Sequence, residues 1–378
     1  MVSSCVLLLS SACGMAGGRG AVGVTVPRIT TRQLRMAIPP YVQGERLAEL
    51  AEPATLVMLE KIESAPLTLP SSLASGPVSA TFVKTNVSTN ADGEAPPLVV
   101  LHGFDSSCLE FRRLMPELEQ RGVEAYALDV LGWGFADTSN ANTVSVEAKR
   151  EYLHSFWKEV LGGRPMALAG VSLGAAVIID FHAAYPEAVA SAALIDPQGF
   201  IDGAPPVPEA FARAGIQVLG SWPLRSVANQ LAYCDTNTYA TDDAIRVGLL
   251  HCARPGWEDD SVDWLLGGGY SVSQLVPRLS RINTLIMWGR QDEILPPQVR
   301  LLPCLGSCTS DECVSSPRPP QPLRISFQSL WTRYQRPHSD GLRIVATLLI
   351  LSNRQCSPPL LQPSCRESKL RAIPTSPR

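Results

Sequence analysis

Continuous apolar runs alternate along this chain with stretches whose apolar residues recur every three or four positions. Pro97 to Leu101 is apolar throughout, as expected for a strand that is buried on both faces. Ser107 to Arg121 then has helical spacing, and Gly122 follows it as a stop signal. Strands that alternate with helices form parallel sheets through right-handed crossovers. The pattern therefore predicts an α/β fold.

The same alternation predicts the other elements of the sheet and its flanking helices. They are early strand material at Val78 to Val87, strands at 123–130, 166–171, 190–195 and 283–288, and helices at 144–161 and 173–185. The rhythm lapses between about Asp196 and Arg281, where helical pieces such as Pro208 to Leu219 and Asp242 to Leu250 occur. We interpret residues 197–281 as a helical cap over the carboxyl edge of the sheet, where it would define a substrate pocket.

The chain changes character after about residue 300. Residues 301–378 contain five of the ten cysteines and many prolines, and they show no strand–helix rhythm. Leu342 to Leu351 is the one segment with the pattern of a strand. We expect this tail to be atypical and largely disordered. One hypothesis is that it comes from an alternative or mis-spliced reading of the gene, which would leave an incomplete sheet with an exposed edge.

The N-terminal segment has the composition of an organelle transit peptide. It contains no Asp or Glu before Glu45, several arginines, and scattered Ser, Thr and Ala. Val6 to Leu9 resembles the short hydrophobic region of a secretory signal peptide, but no basic residue precedes it. We expect residues 1–45 to direct the protein to the chloroplast, with the mitochondrion as the alternative, and the α/β domain to span residues 78–300.

Composition narrows the classes of partner. An apolar fraction of 45%, a charged fraction of 18% and a net charge of −3 are typical of a folded domain and do not suggest a nucleic acid partner. No apolar run is long enough to cross a bilayer. We therefore expect a small-molecule substrate, and oligomeric state is not encoded in any visible pattern.

The cysteines do not indicate a disulfide framework or a metal. Cys108, Cys234 and Cys252 lack regular spacing and are interpreted as reduced thiols. Zinc ligation by residues 304, 308 and 313 is disfavoured, because their spacing lacks the paired form and no convincing fourth ligand follows. We expect neither a metal nor an organic cofactor.

The strongest chemical motif is Gly170-Val171-Ser172-Leu173-Gly174. It follows a predicted buried strand and opens a predicted helix, which is the context of a nucleophile elbow. Such a turn crowds the backbone two positions either side of the serine, and glycine supplies the room. The helix N-terminus offers free N–H groups to a developing oxyanion. The motif predicts that Ser172 is a nucleophile.

Three further motifs follow predicted strands. His102-Gly103-Phe104 lies where an oxyanion loop is expected, so that the N–H of Phe104 would act together with that of Leu173. Asp129 to Asp137 follows the next strand. Trp288-Gly289-Arg290-Gln291-Asp292 follows the last one and places a carboxylate at the carboxyl edge of the sheet.

On these motifs the chain resembles a capped α/β hydrolase, and most of all the plastid-associated plant and algal members. The resemblance spans about residues 78–300. It implies a mostly parallel sheet flanked by helices, with Ser172 as nucleophile, Asp292 as triad acid, and Phe104 and Leu173 as oxyanion-hole donors. The implied reaction is hydrolysis of a small, largely apolar ester or a related carbonyl compound. Serine at the elbow argues against dehalogenase or epoxide hydrolase chemistry, since those relatives have aspartate there.

One departure from the family concerns the base. The family has its histidine in a loop after the final strand, but no histidine lies between Asp292 and His338. His338 alone has the chain order Ser…Asp…His, although it precedes the Leu342 to Leu351 segment instead of following a final strand. For the other four histidines we expect an oxyanion-loop role (His102), structural roles on helices (His154, His182), and core packing or pocket lining (His251).

The acid also has alternatives. Asp196 follows the fourth strand, where some relatives carry their carboxylate, and Asp292 could be a solvated loop residue. Asp105 and Asp137 are interpreted as loop-structuring residues. Two functions remain open at this point: a serine hydrolase, or a non-catalytic hydrolase scaffold that lacks its base.

Overall fold

The apolar runs of the sequence form one sheet. The computed structural model describes residues 39–87, 95–200, 202, 207–289, 292 and 294–295, and the backbone of 347–351. Within these residues the strands are Glu63–Leu67 (β1), Val78–Lys84 (β2), Leu98–Leu101 (β3), Ala125–Leu128 (β4), Met166–Val171 (β5), Val189–Ile195 (β6), Asn283–Trp288 (β7) and Thr347–Leu351 (β8). Their order in the sheet is β1-β2-β4-β3-β5-β6-β7-β8.

The centre of the sheet is parallel. The β4–β3, β3–β5, β5–β6 and β6–β7 pairs are parallel, and the β1–β2, β2–β4 and β7–β8 pairs are antiparallel. The carboxyl ends of β3 to β7 therefore meet at one edge, which is where ligands bind in open α/β sheets. The mostly parallel α/β-hydrolase sheet expected from the sequence is confirmed.

Helices flank the sheet, and several of them lie in sequence between two adjacent strands. The α-helices are Glu45–Ala48 (α1), Pro53–Glu60 (α2), Met115–Gln120 (α3), Val146–Ser155 (α4), Leu173–Ala184 (α5), Glu209–Leu219 (α6), Trp222–Ala232 (α7), Thr236–Tyr239 (α8), Asp242–Leu250 (α9) and Trp257–Leu266 (α10). A π-helical turn, Phe156–Val160, extends α4. Helices α6 to α10 lie between β6 and β7, and we call them the helical insertion.

The two faces of the sheet carry two separate apolar clusters. Along β3, Val99 and Leu101 belong to one cluster, while Leu98 and Val100 belong to the other. This alternation follows from the two-residue period of a strand. All four side chains are buried, which explains why the sequence of β3 is continuously apolar.

The described fold begins earlier than the predicted start at residue 78. Val42 is fully buried, and Leu59 and Ile62 belong to the cluster that packs on β3. β1 adds an edge strand antiparallel to β2. Described residues before 78 thus pack on the sheet and extend it by one strand.

The tail contributes one strand to the described structure. Within the segment predicted at Leu342 to Leu351, Thr347–Leu351 forms β8. It pairs with the outer edge of β7, the edge that the mis-splicing hypothesis leaves exposed. The rest of residues 301–378 lies outside the described residues. In the part of the chain that the structure describes, no helix has the length and apolarity needed to span a bilayer.

Candidate active site

Backbone strain is concentrated at the carboxyl edge of the sheet. Among the described residues, Asp105, Ser172 and Asp196 are the three non-glycine residues with positive φ, at 50°, 49° and 43°. They follow β3, β5 and β6, three neighbouring strands. Such conformations cost of order 1–3 kcal/mol each and cluster at functional sites, so this edge is the first candidate for chemistry.

Ser172 lies on the sharp turn between β5 and α5. Its N–H donates to the carbonyl of Ile195 at 2.9 Å, and its own carbonyl accepts from Ala175 at 3.0 Å and Gln198 at 3.1 Å. Leu173 is the first residue of α5, so its N–H has no partner within the helix and points out from the helix N-terminus. The turn thus presents a hydroxyl beside a helix N-terminus that favours negative charge.

The flanking glycines are required by close backbone contact. A Cβ on Gly170 would lie 2.4 Å from the carbonyl carbon of Gly174, and one on Gly174 would lie 2.3 Å from the oxygen of Leu101. Real Cβ atoms do not approach backbone this closely. The elbow therefore packs directly against the end of β3, where the candidate oxyanion loop begins.

The loop after β3 is positioned by His102. Its Nε2 accepts from the N–H of Val130 at 2.9 Å, so Nδ1 carries the proton and donates to the carbonyl of Gly103 at 2.8 Å. Complete burial lowers the pKa of His102 to about 4. The ring is neutral with both nitrogens engaged, which matches a structural role in this loop.

The same loop touches the elbow. A Cβ built on Gly103 would lie 3.7 Å from the Cβ of Ser172, and the N–H of Gly103 donates to the buried carboxylate of Glu110 at 3.1 Å. Phe104 is 37% exposed and packs edge-on against Trp133, with ring centroids 5.1 Å apart. Phe104 and Leu173, the two residues expected to donate to an oxyanion, thus belong to adjoining segments.

Asp129 organises the loop after β4. Its carboxylate accepts from the N–H groups of Cys108 at 2.6 Å and Phe135 at 2.9 Å, and from the hydroxyl of Thr81. Gly134 lies so close that a Cβ there would be 2.0 Å from the carboxylate carbon. These contacts satisfy both oxygens and assign Asp129 to the support of the site.

Two carboxylates lie together at the ends of β6 and β7. Asp196 Oδ1 accepts from the N–H of Gly289 at 2.6 Å, while Asp292 Oδ1 accepts from the N–H groups of Ile294 at 2.9 Å and Leu295 at 2.8 Å. Burial raises the pKa of Asp196, and the nearby charge of Asp292 adds to the shift. The structure thus brings the predicted acid and its alternative side by side at this edge.

Each of the four histidines in the described chain has its own partner. His154 stacks on Tyr185 with ring centroids 4.1 Å apart, His182 Nε2 lies 3.3 Å from the Arg278 carbonyl, and His251 Nε2 lies 2.9 Å from Asp105. Within this part of the chain no imidazole hydrogen bonds Ser172. The remaining candidate base, His338, lies outside the described residues.

The helical insertion packs on the loops that leave the carboxyl edge. Of the aromatic residues between β6 and β7, Trp257, Trp264 and Tyr270 are buried, whereas Trp222 is 39% exposed. Trp257 donates to Asp105 through its indole N–H at 2.8 Å. This long-range contact has no signal in the sequence.

Three cysteines lie in the part of the chain that the structure describes. Cys108, Cys234 and Cys252 form no disulfide there. The cysteines considered as zinc ligands lie beyond the described residues.

Comparison with known proteins shows the family to which the chain is related. The model of the family described as serine aminopeptidase, S33, matches residues 96–307. The chain is 36% identical to the Arabidopsis thaliana alpha/beta hydrolase domain-containing protein VTE7, over 69% of this chain and 78% of that protein. It is also 26% identical to lipase 1 of Psychrobacter immobilis, over 55% of this chain and 65% of that protein.

More distant similarities involve lipases and esterases. The chain is 24% identical to the Bos taurus monoacylglycerol lipase ABHD6, over 54% of this chain and 63% of the relative. It thus spans less than two thirds of both named lipases. A thermophilic esterase from Thermogutta terrifontis superposes with a TM-score of 0.47 at 19% identity, over 62% of this chain and 83% of the esterase. The family model covers more than half of the chain and the plant relative covers more than two thirds, so the chain belongs to the α/β-hydrolase family.

Proposed function

We propose that this protein is a serine hydrolase that cleaves a small, largely apolar carboxylic ester or a related carbonyl compound. The observation that carries the proposal is the strained elbow, which presents the Ser172 hydroxyl at the N-terminus of α5 beside the Phe104 loop. Strain maintained at a partly exposed serine supports a functional role for that residue. Relatives named lipases support an ester as the substrate class.

In the proposed reaction Ser172 Oγ attacks the substrate carbonyl carbon while a base removes its proton. The N–H groups of Leu173 and Phe104 donate to the oxygen that becomes negative. The tetrahedral species expels the alcohol, which takes the proton from the base, and leaves an acyl-serine. Water then releases the acid by the same steps in reverse order.

Asp292 is the acid that we propose to orient the base. One of its oxygens is fixed by two backbone N–H groups, so the other keeps a defined direction at the carboxyl edge. Asp196 is the alternative, because its position directly after β6 also faces that edge. Asp292→Asn and Asp196→Asn separate the two: loss of the true acid slows acylation steeply, as in other triads.

The base is the point at which a second function competes. His338 has the chain order of a triad, and we propose it as the base. The competing function is a non-catalytic scaffold that binds a ligand or is inert. Its support is that every histidine of the described chain is engaged away from Ser172.

Fluorophosphonate labelling of the purified full-length chain tests the proposal. We expect labelling of the wild type, none of Ser172→Ala, and strongly reduced labelling of His338→Ala. His154→Ala is the matched control, because His154 lies on α4, stacks on Tyr185 and should not affect labelling. Absence of labelling in the wild type would contradict the serine hydrolase and support the non-catalytic scaffold.

We also propose that the segment before residue 39 carries the chloroplast address, with the mitochondrion as the alternative. Its acid-free, arginine-containing composition supports this, and so does similarity to a plant protein. Tyr41 donates to the carbonyl of Phe135 at 3.3 Å and Val42 is buried, so processing at residue 45 would remove part of the folded domain. A fluorescent fusion of residues 1–38 that stays in the cytosol would contradict this assignment.

A further inference from the structure

Asp105 is a buried carboxylate that the proposed reaction does not use. It directly follows Phe104, is 2% exposed and has a φ of 50°. An unpaired charge in such a place would be costly, so its partners identify its role.

Its partners all come from the helical insertion. Oδ1 accepts from His251 Nε2 at 2.9 Å and from the indole N–H of Trp257 at 2.8 Å. Arg225 donates one guanidinium N–H to Oδ2 and another to the Asp105 carbonyl, the latter at 3.1 Å. These residues lie on α7, on the 3-10 turn after α9 and at the start of α10. One side chain of the β3 loop is thus bound by three elements that are at least 120 residues away in sequence.

The groups around His251 are consistent with a charged cluster. Burial alone would lower the pKa of His251, but the Cys252 sulfur and the Asp105 carboxylate outweigh it and raise the pKa to about 9. Burial likewise opposes the ionised form of Asp105, yet His251 and Arg225 lower its pKa. His102, on the sheet side, is neutral.

The cluster is not a metal site in this arrangement. Asp105, His251 and Cys252 offer ligand atoms within 4.8 Å of one another. However, Arg225 already bonds the carboxylate and lies 3.2 Å from the Cys252 sulfur. The guanidinium supplies the positive charge that a metal ion would bring.

We propose that Asp105 is a positioning residue that makes the oxyanion hole dependent on docking of the helical insertion. The insertion holds Asp105, whose backbone is strained, through contacts to both its side-chain carboxylate and its main-chain carbonyl. The peptide N–H of Phe104, one residue earlier, is thereby held toward Ser172. This inference rests on the proposed function, because it assigns a use to the Phe104 N–H.

Two consequences distinguish positioning from general stabilisation. Loss of the Asp105 contacts should loosen the Phe104 loop even in a protein that remains folded. It should also lower kcat while leaving KM nearly unchanged, because oxyanion donors act on the transition state.

The experiment compares Asp105→Asn and Arg225→Gln with Arg213→Gln in the full-length chain. Arg213 is the matched control: it lies on α6 of the same insertion, and among the described residues its ion pairs are with Glu209, Glu258 and Asp259, away from the β3 loop. Hydrogen exchange of peptides covering 102–108 is the first readout. We expect exchange to be about tenfold faster in the two cluster variants and unchanged in the control.

The second readout is hydrolysis of p-nitrophenyl butyrate. We expect kcat to fall about 10- to 100-fold in Asp105→Asn with KM conserved. We expect Arg225→Lys to keep part of the activity that Arg225→Gln loses. His251→Gln serves as a milder variant should Asp105→Asn not fold.

The two readouts separate the proposals. An inactive wild type would overturn the serine hydrolase function, while exchange would still report on the coupling of Asp105 to the insertion. Exchange at 102–108 that is unchanged in Asp105→Asn and His251→Gln, or equally fast in Arg213→Gln, would overturn the positioning role.

Discussion

The elbow and the helical insertion meet at one edge of the sheet, but they are specified by different forces. The elbow depends on backbone atoms in near contact, with Gly170 and Gly174 filling spaces where no side chain fits. The insertion depends on buried polar contacts, such as those of Asp105 and those of Arg254 with Gly132, Thr138 and Asp260.

This difference predicts different responses to change. Steric contacts within a sheet are insensitive to pH and salt, whereas charged contacts weaken when a proton is lost or the charge is screened. The elbow is therefore expected to persist under conditions that release the insertion. On the proposed function, activity under such conditions would be limited by the insertion and not by the presence of the serine.

The largest effect is expected at the elbow. Gly170→Ala should destabilise the protein by more than about 3 kcal/mol, because the new Cβ would overlap the backbone of Gly174. Gly215→Ala, on the exposed face of α6 where nothing lies within 4 Å, should gain about 0.5–1 kcal/mol through helix propensity. Urea unfolding measures both, and equal effects of the two substitutions would refute the steric account.

The next effect is expected from Arg254. Its side chain is 2% exposed and bonds Asp260 at 2.6 Å. Arg254→Leu therefore leaves the Asp260 carboxylate without its charged partner and the Gly132 carbonyl without its donor. We expect a loss of about 3 kcal/mol, confined to the insertion. Hydrogen exchange should rise in α10 but not in β5; a uniform rise would show that insertion and sheet unfold together.

A smaller, pH-dependent effect is expected from His251. Its pKa of about 9 in the folded protein lies above the ordinary value near 6.5. The stabilisation is therefore complete below about pH 6.5 and lost as the pH rises through about 9, amounting to about 2 kcal/mol between pH 7 and 10. Burial lowers the pKa of Lys149 to about 7, which gives the opposite slope in this range.

The measured quantity is therefore the stability of the wild type minus that of His251→Gln at each pH. This difference should shrink steadily from pH 7 to pH 10. A difference that stays constant would mean that His251 carries no charge in the folded protein.

The smallest effect is expected from Arg213→Gln. Its ion pairs are exposed to solvent, and such pairs stabilise a fold only weakly. A fall in thermal stability as large as that of Arg254→Leu would mean that surface charges, and not the buried clusters, attach the insertion.

Much of the sheet could be predicted because its central strands are buried on both faces. The strands predicted at 166–171 and 283–288 have those same bounds in the structure. β1 was missed because its sequence, Glu-Ser-Ala-Pro-Leu, contains a charge and a proline, as edge strands often do. The helix predicted from Ser107 to Arg121 is instead the 3-10 turn Cys108–Phe111 followed by α3, which has Pro116 in its first turn.

The candidate site divides in the same way. Ser172, Leu173 and Phe104 are proposed as site residues from local motifs, since each motif involves a few neighbouring residues. The contacts of Asp105 join it to residues 225, 251 and 257, and no local pattern encodes pairs so far apart. Its positive φ is equally invisible, because aspartate does not signal that conformation as glycine does.

The positive φ of Ser172 has a consequence for how this lineage changes over time. Glycine adopts that conformation freely, so Ser172→Gly would raise stability. Where selection does not act on the hydroxyl, this mutation would therefore accumulate. Serine is retained there only where selection acts on the hydroxyl itself. The identity of this one residue in natural variants is therefore a record of whether the chemistry is still in use.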